Sequence, residues 1–134
     1  MNPFNELQKI KTLLVDDDEL IRDSLSMAFS NKGCYIRTAD SAEAGLRALR
    51  EDQYDLIISD FRLPGMDGLE FMQLAAPANP RAVKVLITAY RDHFVFSEAL
   101  RMGIKLFIEK PFTVAKLVTS LALSFQNNQA AKTL

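Results

Sequence analysis

The 134-residue sequence predicts one doubly wound α/β domain: a parallel five-stranded sheet with helices on both faces. Short apolar runs alternate with longer amphipathic stretches five times along the chain, with no internal repeat. The runs are apolar throughout, as strands covered on both faces should be. Asp16, Asp17, Asp60, Thr88 and Lys110 all fall where an apolar run ends. In open parallel sheets, ligands bind at the carboxyl ends of the strands, near the switch in strand order.

The elements follow in order. Thr12-Leu13-Leu14-Val15 reads as the first strand, stopped by Asp16-Asp17-Asp18-Glu19. Over residues 19–30, Ile21, Leu25, Ala28 and Phe29 recur at helical spacing, and Gly33 ends that helix in a left-handed turn. Residues 34–38 form the second strand, and Asp40 with Glu43 makes a capping box for a helix to about Arg50. Leu56-Ile57-Ile58 is the centre of the third strand, which delivers Asp60 at its carboxyl end. A loop punctuated by Pro64, Gly65 and Gly68 leads to a short helix over 69–75, which Pro77 and Pro80 keep short. Residues 83–87 are the fourth strand, closed by Thr88, and a helix over 94–102 ends at Gly103. Leu106-Phe107-Ile108 is the fifth strand, broken by Lys110-Pro111. Thr113 caps a last helix with the apolar stripe Val114, Leu117, Val118 and Leu121, and the polar tail from Gln126 is expected to fray. Domain limits are therefore an extension at 1–8, the folded unit at 9–126 and a tail at 127–134.

Composition narrows the function classes. With 49% hydrophobic and 25% charged residues, the chain is an ordinary globular domain rather than a disordered one. A net charge of -1 supplies no basic field to hold nucleic acid, so direct nucleic-acid binding is not expected. No run approaches the roughly twenty apolar residues of a membrane span, and the amino terminus has no secretion signal pattern. The single cysteine, Cys34, lies in an apolar run and suits a core thiol in the reducing cytoplasm. The single histidine, His93, reads as an inert loop residue.

The acidic residues carry the chemistry. If the first and third strands are neighbours, Asp16, Asp17 and Asp60 crowd together. At about 4 Å and an effective dielectric near 20, each like-charge pair costs roughly 4 kcal/mol, which a cation would offset. Oxygen ligands favour Mg²⁺ or Mn²⁺ over zinc, which would want His or Cys. Asp18 and Glu19 serve the helix that follows, as carboxylates at its amino terminus. A cation beside a carboxylate, the Thr88 hydroxyl and the Lys110 ammonium makes a phosphoryl-transfer site, with Asp60 as nucleophile.

Leu14-Val15-Asp16-Asp17-Asp18-Glu19, Ser59-Asp60-Phe61-Arg62-Leu63-Pro64-Gly65-Met66-Asp67-Gly68, Ile87-Thr88-Ala89 and Glu109-Lys110-Pro111-Phe112, in this order, resemble the receiver domain of the response-regulator family over about residues 9–125. The resemblance is to the chemotaxis-regulator-like members of two-component signal transduction. It implies a flavodoxin-like sheet in strand order 2-1-3-4-5 with five helices on both faces. Asp60 would be the phosphoacceptor, with Thr88 and Lys110 completing the reaction site. Asp17 would ligate Mg²⁺ or Mn²⁺ directly, Asp16 through water, and the backbone carbonyl of Arg62 would complete the set with Asp60.

The same resemblance implies a cis peptide before Pro111, a switch pair of Thr88 and Phe107, and an output face made by the fourth helix, the fifth strand and the last helix. Arg62 and Tyr90 would set the lifetime of the phosphorylated state. Phe94, Val95 and Phe96 read either as part of the partner surface or as core. The implied partners are a sensor histidine kinase or histidine phosphotransfer protein, docking the first helix and the loop after the fifth strand, and a downstream protein or output domain. Such a switch catalyses only its own phosphorylation and dephosphorylation. Phosphorylation-linked homodimerisation stays open, as does the choice between a stand-alone receiver and a piece of a longer regulator.

Rival functions fit less well. A haloacid-dehalogenase-type phosphatase needs Asp-x-Asp followed by a Thr-containing turn, whereas Asp16 and Asp18 precede Glu19-Leu20-Ile21. A flavin carrier on the same sheet would hold phosphate where this chain has four acidic residues, which repel it. An interaction module that is never phosphorylated remains a live alternative.

Overall fold

The computed structural model describes residues 2–89, 93–104 and 106–133. Five strands, β1 (Lys11–Val15), β2 (Tyr35–Ala39), β3 (Leu56–Asp60), β4 (Val83–Thr88) and β5 (Leu106–Glu109), form one parallel sheet in the order β2-β1-β3-β4-β5. The expected fold class and strand order are thus observed. Helices α1 (Phe4–Leu7), α2 (Glu19–Asn31), α3 (Ala42–Glu51), α4 (Gly68–Ala75), α5 (His93–Arg101) and α6 (Val114–Thr133) connect and flank the strands.

Alternate residues of each central strand face opposite sides, so the apolar runs feed two cores. Leu13, Val15, Ile57 and Leu86 pack with Phe71 and Met72 of α4 and Ala99 of α5. Leu14, Ile58, Val85 and Ile87 pack with Leu25 and Phe29 of α2 and with Leu117 and Leu121 of α6. Each fully buried side chain of this size contributes about 1.5–3 kcal/mol through removal from water. Because both faces are covered, β1, β3 and β4 cannot slip without moving an entire core set, and the carboxyl ends of the strands are held in fixed register.

Several local expectations change. Six helices replace the expected five, because residues 1–8 contain α1. Leu7 is fully buried and Phe4 meets Phe29 edge-on at 6.2 Å between ring centroids, so tertiary packing supports a helix too short to form alone. The cap of α3 is Ser41, whose side chain accepts from the Ala44 amide, and not Asp40. The backbone of α6 continues to Thr133 where a frayed tail is expected, since neither Pro nor Gly interrupts the sequence after Pro111. His93 begins α5 rather than lying in a loop. Elsewhere the caps agree: Gly33 turns at φ +70 after α2, and Thr113 accepts from the Lys116 amide at 3.1 Å. Cys34 is buried, with burial raising its thiol pKa, as suits a core residue. Among the described residues no helix is long and apolar enough to cross a membrane.

Candidate functional site

The chain leaves β1 toward one edge of the sheet to make β2, then returns to β3 on the other side of β1. Val15 and Ser59 are register partners, so the residues that follow them, Asp16 and Asp60, emerge side by side. Asp17 joins them: one carboxylate oxygen from each of Asp16, Asp17 and Asp60 lies within 4.8 Å of the others. Asp16 and Asp60 are buried, and Asp17 is exposed. Strand adjacency therefore produces the carboxylate cluster expected from sequence.

Lys110 enters from the end of β5. Its amide donates to the Thr88 carbonyl at 2.9 Å, and the Lys110-Pro111 peptide is cis as expected. Lys110 Nζ then lies 2.9 Å from Asp60 Oδ2 and 3.9 Å from Asp16 Oδ2. Burial works against the charge on Lys110, but the Asp60 hydrogen bond and the nearby Asp16 and Asp60 charges outweigh it and leave its pKa raised. The ammonium is thereby kept as a point charge against the acidic cluster. Thr88 is buried at the carboxyl end of β4, whose preceding residue Ile87 is in register with Asp60.

Asp16 is the electrostatically costly member. Burial, countered partly by the Asp18 amide and reinforced by the Asp60 charge, pushes its carboxyl pKa up to about 6. Its Oδ1 accepts from the Asp18 amide at 2.9 Å, while Oδ2 is buried with no hydrogen-bond partner. A buried carboxylate oxygen left without a donor calls for an explanation, and a bound cation is one that also accounts for the two neighbouring carboxylates. Three carboxylates with no histidine or cysteine among them fit a hard divalent cation.

Arg62 lies two residues after Asp60 in the loop after β3, and its amide donates to Asp60 Oδ1 at 3.4 Å. Tyr90 lies outside the described residues. Phe107 is partly buried against the α3–α5 core, and Phe96 of α5 meets it edge-on at 4.9 Å between centroids. The segment expected to be either surface or core divides: Val95 is buried, Phe94 is exposed, and Phe96 packs on the expected switch aromatic. A groove of about 560 Å³ runs between Leu20, Ile21 and Ser24 of α2 and the Lys110–Val114 segment, where a kinase is expected to dock.

Two contributors escape a reading of the sequence. A Cβ on Gly68 would stand 2.5 Å from the Asp60 carbonyl oxygen and 2.9 Å from Phe61 Cα, so only glycine lets α4 start against the end of β3. The Arg22 guanidinium donates to the Asp16 backbone carbonyl at 2.9 Å. The signal for Arg22 was its place one turn into the helix that follows the acidic loop.

A doubly wound parallel sheet with three clustered carboxylates and a lysine at the carboxyl ends of its strands places an acidic pocket where such sheets bind ligands. The sequence profile of the response regulator receiver domain matches residues 12–122, and the chain belongs to this family of two-component systems. It is 35% identical over 122 residues to a probable chemotaxis protein CheY of Rhizobium etli, covering 88% of this chain and 94% of that one. It is 37% identical over 112 residues to the response regulator protein FleR of Pseudomonas aeruginosa, covering 84% of this chain but 24% of the relative. The crystal structure of a CheY-like receiver domain protein from Methanospirillum hungatei superposes with a TM-score of 0.84 at 26% identity, covering 90% of this chain and 97% of that one.

Proposed function

We propose that this chain is a phosphorylation switch in which Asp60 accepts a phosphoryl group from a sensor histidine kinase or histidine phosphotransfer protein. The observation that carries this is the convergence of Asp16, Asp17 and Asp60 within 4.8 Å, with Lys110 Nζ at 2.9 Å from Asp60. An Asp60 oxygen attacks the donor's phosphorus as the bond from phosphorus to the donor imidazole breaks, leaving an acyl phosphate on Asp60 and the imidazole to take up a proton. Lys110 and the Thr88 hydroxyl offset charge on the phosphoryl oxygens, which is most of what a protein contributes to this chemistry.

Asp16, Asp17, Asp60 and the Arg62 carbonyl would hold Mg²⁺ or Mn²⁺, and the orphaned Asp16 Oδ2 supports that fit. The bound cation would neutralise the clustered carboxylates and the incoming phosphoryl group. The groove beside α2 suits the phosphodonor's approach, since it opens next to Lys110. In the phosphorylated state Thr88 moves toward the phosphoryl group and Phe107 follows, changing the α5-β5-α6 face for a downstream protein, an output domain or a second copy. On this reading the chain acts on no separate substrate and works in the cytoplasm beside its phosphodonor.

Incubation with acetyl phosphate and MgCl₂ tests this by intact mass. The wild-type chain should gain one phosphate and Asp60→Asn none; an unmodified wild-type chain would favour the unphosphorylated interaction module. Arg62 stands where attacking water must approach the acyl phosphate. Arg62→Ala is therefore expected to change the dephosphorylation half-life about threefold or more, and an unchanged half-life would remove Arg62 from that role.

A further inference from the structure

The backbone of Asp16 is tied on both sides. Its amide donates to the Ala39 carbonyl of β2 at 3.0 Å, and its carbonyl accepts from Arg22 Nη1 at 2.9 Å. Its Oδ1 is occupied by the Asp18 amide. Only Oδ2, buried and unpartnered by any hydrogen bond, is left to face the pocket. The Asp16 carbonyl belongs to the peptide that also carries the Asp17 amide. A planar peptide fixed at its oxygen has little freedom to rotate, which restrains the Asp16 ψ and Asp17 φ angles and with them the directions in which the two Cα–Cβ bonds leave the backbone.

Arg22 can act this way because of its place in α2. Asp18 caps the helix, accepting from the Leu20 and Ile21 amides, and the Arg22 amide donates to the Asp18 carbonyl. This clamps the first turn onto the acidic loop and directs the Arg22 side chain back along the helix toward Asp16, as helical side chains lean toward the amino terminus. Arg22 is half-buried there and donates to a carbonyl rather than approaching the pocket as a ligand.

We propose, on the strength of the metal-binding reading above, that Arg22 is a positioning residue for the cation pocket, holding the Asp16-Asp17 peptide so that both carboxylates are preset for a divalent cation. Two roles for the guanidinium predict opposite signs. As a nearby positive charge alone, it would oppose a cation, and its removal would tighten binding. As an orienting group behind the ligands, its removal weakens binding, typically by tenfold or more.

The test is Mg²⁺ titration of the full chain by isothermal calorimetry, with circular dichroism to show that each variant is folded. Arg22→Met is expected to raise the Mg²⁺ dissociation constant roughly tenfold. Arg22→Lys, which keeps the charge but lacks the planar guanidinium, is expected to recover only part of that loss. Should Arg22→Met fail to fold, Arg22→Gln, which also removes the charge, carries the same comparison. An unchanged or tighter Mg²⁺ affinity in folded Arg22→Met or Arg22→Gln, with the wild-type chain binding normally, overturns the positioning role alone. A wild-type chain that does not bind Mg²⁺ overturns the metal reading of the pocket and this role with it.

Discussion

Replacing Lys110 with Met is expected to slow phosphorylation by a small-molecule donor about 10²- to 10³-fold, the loss typical of removing one preorganised charge-stabilising group. Lys110 Nζ is 2.9 Å from Asp60 Oδ2 and 3.9 Å from Asp16 Oδ2, so on the proposed mechanism it would stand beside the charge that develops on the transferring group. Nothing else described within the pocket is cationic at that distance from Asp60. Lys110→Arg should rescue poorly, because a broad planar fork cannot replace a compact ammonium at the end of a chain fixed by the Thr88 carbonyl. Quenched-flow or mass-based time courses at saturating MgCl₂ decide the matter. A Lys110→Met rate within about threefold of wild type would mean that Lys110 is an ion-pair partner of Asp60 and no more, whereas a near-wild-type rate in Lys110→Arg would mean that the charge matters and the compact ammonium does not.

Asp16→Asn is expected to stabilise the metal-free protein while reducing the stabilisation that Mg²⁺ provides. Asp16 has its pKa pushed from an ordinary 3.8 up to about 6, first by burial. A carboxyl raised in the folded state costs stability when ionised. That cost is full above about pH 6 and fades as pH falls toward 4, the reverse of a salt-bridged aspartate. A shift of this size corresponds to roughly 3 kcal/mol at neutral pH, which the neutral amide removes while keeping an oxygen for the Asp18 amide. Urea unfolding in EDTA at pH 7.5 should therefore show Asp16→Asn more stable by about 2–3 kcal/mol, with the difference shrinking toward pH 4. In the wild-type chain, Mg²⁺ at a hundred times its dissociation constant should add about 2.7 kcal/mol, and that gain should diminish as pH falls through about 6 and Asp16 takes up a proton. Destabilisation by Asp16→Asn in EDTA would show that the carboxylate is structural rather than held under strain for a cation.

The parts of this molecule that were legible in the sequence are those set by periodicity and by strand ends. Leu13 to Val15 and Leu56 to Ile58 announce strands covered on both faces, and the fold places Asp16 and Asp60 side by side because their strands are neighbours. Helix termination at Gly33 and capping at Thr113 follow from local chemistry and were equally readable. What sequence hid depends on tertiary context. Helix α1 spans Phe4–Leu7 and exists because Leu7 finds a place in the α2–α6 core, which no local pattern specifies. Ser41 prevails over Asp40 as a cap by one residue of backbone phase, a difference that spacing alone does not resolve. Gly68 looked like loop punctuation, yet its missing side chain is what lets α4 approach the Asp60 backbone. Phe96 was undecided between surface and core until its edge met the Phe107 ring.

The most direct measurement of the central claim is residue-level mapping of the phosphoryl group. Wild-type protein is treated with acetyl phosphate in the presence of either MgCl₂ or EDTA, trapped with borohydride so that an aspartyl phosphate becomes homoserine, and read by peptide mass spectrometry. Conversion at Asp60 alone, and only with the divalent cation present, is the predicted result. Conversion at Asp16 or Asp17, equal conversion in EDTA, or none under either condition would contradict it.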